Sequence, residues 1–169
     1  MKPPLLPSER LRRVLRVARI DGTSILAVAG AFALISASFR DVNGAVIGLL
    51  VAAAGALELH GASRLRAADA RGMRWLVSSQ LYLMAVMLTY VACRLARPDI
   101  AALRPLVTQE LADSIREANL TVDQVLLEMQ RLVYLGVAAA TLLYQGGMAI
   151  YYLRRSAAVA AALQEESPP

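Results

Sequence analysis

The chain has 169 residues, 57% of them hydrophobic, with a net charge of +5 and a single cysteine, Cys93. That apolar share lies above what a soluble domain carries. A lone cysteine excludes an internal disulfide, and one histidine with no Cys/His cluster excludes a zinc-type centre.

Four apolar runs dominate: 23–39, 42–59, 75–93 and 132–153. A helix needs about 20 mostly apolar residues to cross a bilayer. All four runs approach that length. The expected fold is an all-α integral membrane protein, a four-transmembrane-helix bundle. It carries an N-terminal basic amphipathic helix and an extracytoplasmic helical hairpin at about 106–131. Residues 1–155 form one domain, and 156–169 are expected as a fraying cytoplasmic tail.

Residues 1–8 contain Pro3, Pro4 and Pro7 and read as irregular. Ser8 suits a helix N-cap and Glu9 a first helical turn. Leu11, Val14, Leu15 and Ala18 then share one helical face, with Arg12, Arg13, Arg16 and Arg19 opposite. A helix of this kind lies in the membrane interface and pairs its arginines with phosphates of anionic lipids. The plainer reading is a solvated basic flank. Asp21-Gly22 is expected to break the helix before the first run. That run, although preceded by a basic leader, is expected to be retained as a span.

Arg40-Asp41, followed by Asn43-Gly44, predicts a tight hairpin and antiparallel first and second spans. In the second, Gly44, Gly48, Ala52, Gly55 and Glu58 fall near one face. Glycines at four-residue spacing let a second helix approach closely. Glu58 is thereby carried into a protein contact, and a carboxylate there pairs, protonates or meets water. The plainer reading pairs it with Arg64 or Arg66. His60, two residues on, points away from it.

A basic loop, 61–74, leads to the third span. There Gln80 shares a stripe with Met73, Met84 and Met87. Glutamine is a strong interhelical hydrogen-bonding group in lipid, and methionine at this spacing fills core gaps. The third connection, 94–131, is longer. Pro98 and Pro105 break it early, and Val107, Leu111, Ile115 and Ala118 recur at helical spacing. Asn119-Leu120 reads as a turn, and Thr121 with Gln124 is a capping-box signature. From there one helix is expected to run to about residue 155. It carries a polar stripe of Tyr134, Thr141, Gln145 and Tyr152 and a smooth one of Gly136, Ala140 and Gly147. The polar stripe lines a path or glues helices together. The smooth one suits close packing.

Seventeen of the eighteen basic residues are arginine. Twelve of the eighteen fall before the first span, between the second and third, or after the fourth; six fall in the other two connections. Arginine and lysine gather on cytoplasmic loops, so both termini are expected in the cytoplasm, with a bacterial inner membrane as the location. The basic charges flank spans and form no separate basic domain, which argues against nucleic acid as a partner.

No phosphate-binding loop or nucleophile motif is present, so neither an enzyme nor a cofactor or metal protein is expected. The expected function is a homo-oligomeric channel for ions or small solutes, with Glu58, Gln80, Thr141 and Gln145 as pore or selectivity residues. The alternative is a structural or accessory subunit whose 106–131 hairpin docks a protein partner.

Overall fold

A computed structural model describes residues 7–101 and 103–165, with side chains at all of these except 7, 106 and 165. It holds five α-helices: α1 (Pro7–Ser38), α2 (Val42–Arg66), α3 (Gly72–Ala96), α4 (Gln109–Glu117) and α5 (Val122–Glu165). A 3-10 turn, Arg104–Leu106, precedes α4. Among the described residues there is no strand. Helices α1, α2, α3 and α5 are long and apolar enough to cross a membrane. No more than 28% of each apolar window is buried within the chain. Val28, Phe32, Leu34, Leu49 and Leu143 among others stay exposed. An apolar surface of that extent suits lipid, not water.

Two expectations about helix ends are corrected. Helix α1 runs unbroken through Asp21-Gly22, because the Asp21 carboxylate is held by side chains of α3 and α5 and does not bond its own backbone. Helix α5 runs on to Glu165, because Val159, Ala162 and Leu163 are buried. Residues 1–6 and 166–169, expected to be irregular, lie outside the described residues.

The chain divides into two compact units. The first contains residues 1–86 and 142–169. Its α1–α2 hairpin turns at Arg40, whose φ of 59° is left-handed. Asp41 caps α2 by accepting from the Gly44 N–H at 3.0 Å. The two helices then run antiparallel in close contact. A Cβ added at Gly48 would stand 2.9 Å from the Ala33 backbone, and one at Gly55 would stand 2.7 Å from the Gly22 carbonyl oxygen. Only hydrogen fits there. Gly44 faces Ser36 in the same seam. A second glycine pair, Gly61 and Gly72, brings α2 and α3 together: a Cβ at Gly72 would stand 2.6 Å from the Gly61 carbonyl oxygen.

The core of this unit gathers Leu11, Val14 and Ala18 of α1 with Leu65, Leu76 and Val159. This corrects the expectation of a separate interfacial helix. The apolar face of 11–18 is covered by protein, and the segment is simply the first part of α1. Arg12, Arg13, Arg16 and Arg19 are exposed on the opposite side. A Cβ at Gly147 would meet nothing within 4 Å in the chain.

The second unit spans residues 87–141. Thr108 caps α4, and Asn119, with φ 58°, ends the turn after it. The capping box forms in both directions. The Gln124 N–H donates to Thr121 Oγ1 at 3.3 Å, and the Thr121 N–H donates to Gln124 Oε1 at 3.1 Å. Arg104 grips Asp123 with two bonds of 3.1 and 2.7 Å. Ile115 and Leu126 are buried, whereas Leu111 of the predicted apolar stripe is half-exposed. It borders an open cleft of about 330 Å³ with Leu103, Val107 and Met129. Arg94 donates to the Tyr134 hydroxyl at 2.9 Å in the same cleft. Gly136, like Gly147, has open space around it within the chain.

Candidate functional site

The first unit brings together a cluster of polar side chains from all four of its helical segments. Glu58 sits at the last turn of the apolar part of α2 and is fully buried. The small residues beside it put it there. Gly22 and Gly55 let α1 come so close that a Cβ at Gly22 would stand 3.3 Å from the Glu58 Cβ. Asp21, next along α1, thereby becomes a neighbour of the Glu58 carboxyl.

Neutral donors surround the two acids. The Tyr152 hydroxyl donates to Glu58 Oε1 at 2.5 Å. The Gln80 side-chain amide donates to Asp21 Oδ2 at 3.2 Å, and the Tyr144 hydroxyl donates to Asp21 Oδ1 at 2.8 Å. Three acceptors are left over. Glu58 Oε2, Gln80 Oε1 and Gln145 Oε1 are buried without a hydrogen-bond partner. Among the described residues neither Asp21 nor Glu58 has a basic partner.

The pairing of Glu58 with Arg64 or Arg66 is therefore replaced by another arrangement. Arg64 turns outward. Its Nη1 binds Asp69 at 2.9 Å and its Nε binds His60 at 3.1 Å. His60 in turn meets the edge of Trp75. Asp69 also accepts from the Arg71 N–H at 2.8 Å. That backbone bond first, and Arg64 second, hold its carboxyl below the usual carboxylate range.

Of the four residues expected to line a path, the structure brings Glu58 and Gln80 to this cluster. Gln145 is buried on α5, seven residues and so two turns from Tyr152 on the same helical face. Thr141 is buried in the second unit. Sequence reasoning missed Asp21, because Asp21-Gly22 reads as a helix breaker; it put Tyr152 on the polar stripe of α5 without its partner Glu58. A usable signal existed: an aspartate two residues before an apolar run, on a helix facing a glycine stripe that ends in a glutamate.

An acceptor-rich group of this kind, buried at Glu58 and open on the Asp21–Tyr144 side, has the chemistry to hold a proton or a small monovalent cation. Among the described residues no three His, Cys, Asp or Glu side chains converge. No family model, no curated protein and no solved structure matches this chain.

Proposed function

We propose that the protein conducts protons or small monovalent cations across a membrane, with the Asp21–Glu58 pair as the relay or binding point. The observation that carries this reading is Glu58 Oε2: an acceptor buried in an apolar helix, beside a second carboxyl, with no donor and no basic partner. Ionisable groups inside membrane segments are expensive, and they mark ion and proton pathways. Gln80, Tyr144 and Tyr152 orient the two acids, and Gln145 offers a further acceptor on the face of α5 that carries Tyr152.

This reading places the path within one chain. A ring of Glu58 side chains around an oligomer axis fits poorly with a fully buried Glu58. Association of copies is a separate proposal, supported by the open glycines of α5. The basic asymmetry supports N- and C-termini in the cytoplasm, which sets the acid pair near the cytoplasmic side.

A second reading, an accessory subunit without transport of its own, is favoured by one observation. The apolar cleft beside Leu111 and Met129 is open, as a docking surface for a protein partner requires. Proton and cation flux into liposomes holding the purified protein separates the two. Flux that depends on Glu58 supports conduction, and its absence from folded, inserted protein supports the accessory reading.

A further inference from the structure

One wall of the first unit is basic and unpaired. Arg10 of α1 and Arg154 and Arg155 of α5 line a pocket of about 560 Å³ together with Gly147, Ile150 and Tyr151. Like charges repel, and a fold brings three guanidinium groups to one pocket at a cost unless an anion joins them. Among the described residues none of the three arginines forms an ion pair. Arg155 rests on the face of Tyr151, 4.4 Å from the ring centre. The Tyr151 hydroxyl is buried and has no hydrogen-bond partner.

We infer that this pocket binds the phosphate group of an anionic phospholipid. Guanidinium groups bind phosphate oxygens with paired, charge-assisted hydrogen bonds. A phosphate free in solution offers the same chemistry to the arginines. The lipid is favoured by the order of residues along α5. Gly147, Ile150, Tyr151, Arg154 and Arg155 recur at helical spacing on one face, which turns from apolar to basic at the end of the apolar run. That order matches an acyl chain followed by a headgroup. Gly147 keeps the chain's track open, since no atom stands within 4 Å of where its Cβ would be. The arginines expected from sequence to meet lipid, Arg12, Arg13, Arg16 and Arg19, are not in this pocket.

The test is competitive lipid retention on the full chain, read by native mass spectrometry from mixed phosphatidylglycerol and phosphatidylcholine micelles. The wild type should retain phosphatidylglycerol over phosphatidylcholine by about ten-fold or more. The combined Arg10→Gln, Arg154→Gln, Arg155→Gln variant should lose that preference. Gly147→Leu, which removes no charge and faces open space, should weaken retention by narrowing the acyl track. Arg12→Gln, Arg13→Gln, Arg16→Gln removes as many charges elsewhere and should keep the preference. Equal loss in this control variant overturns the site, since the effect is then general surface charge. Inorganic phosphate binding to the arginines while Gly147→Leu retains lipid like the wild type overturns the lipid assignment in favour of a free-anion site.

Discussion

The Tyr152 hydroxyl and the Glu58 carboxyl, 94 positions apart in the chain, meet at 2.5 Å with both side chains fully buried. The bond ties the inner face of α5 to the end of α2 and fixes one oxygen of the acid. The other oxygen, Oε2, is buried without a hydrogen-bond partner.

Tyr152→Phe removes the donor and leaves Glu58 with neither oxygen bonded. The expected loss is about 1–2 kcal/mol of stability, read as a lower thermal midpoint in detergent. Glu58→Gln keeps an acceptor for Tyr152 and should fold with little change. A Tyr152→Phe variant as stable as the wild type means that the bond contributes nothing to folding.

Gly48→Leu and Gly55→Leu each drive a side chain into the α1 backbone. Overpacking costs about 1–3 kcal/mol or more when backbones must part, so both should unfold earlier. Gly136→Leu and Gly147→Leu meet no atom of the chain and should keep the wild-type midpoint. If copies associate through the open face of α5, the same two variants lower the mass of the detergent-solubilised particle. Wild-type stability in Gly48→Leu and Gly55→Leu contradicts the seam.

The loop after α2 carries a pH dependence of defined sign. Arg71 and Arg64 hold the Asp69 carboxyl below its ordinary range. Its contribution is complete above the unfolded value of about 3.9 and is lost as pH falls through the lower folded value. The gap in thermal midpoint between wild type and Asp69→Asn should therefore be flat from about pH 7 to about pH 5 and close in more acid solution. Asp69 is partly open to solvent, which screens its charge, so the gap is small. A gap that does not change with pH contradicts this account of the loop.

Topology is tested by labelling. In a Cys93→Ala background, Ser8→Cys and Ser114→Cys should react with an impermeant thiol reagent from opposite sides of the membrane, Ser114→Cys from outside. Reaction of Ser8→Cys from outside in intact cells would reverse the assignment.

Much of the helix plan was legible because apolar length and turn chemistry are local. The Arg40-Asp41 turn, the Thr121–Gln124 capping box and the Gly48 and Gly55 contacts each follow from a few neighbouring residues. What was not legible depends on partners far along the chain. Asp21-Gly22 breaks a helix in isolation, yet here Gln80 and Tyr144 satisfy the carboxylate and α1 continues. The 156–165 segment looks like a tail until Val159 and Leu163 find the core with Leu11 and Val14. Gly136 and Gly147 share a small-residue stripe, but a stripe does not say whether anything covers it.

The central claim is that Asp21 and Glu58 carry the transported charge. Its most direct measurement is proton uptake into liposomes holding the purified protein, with a potassium diffusion potential as the driving force and an internal pH dye as the readout. Wild-type vesicles should acidify, and Glu58→Gln and Asp21→Asn should each reduce the rate by about ten-fold or more while staying folded and inserted. Sodium uptake under the same diffusion potential, read with an internal sodium-sensitive dye, gives the same comparison for a small cation. Acidification at the wild-type rate in Glu58→Gln, or no flux of either ion from folded wild-type protein, contradicts the claim.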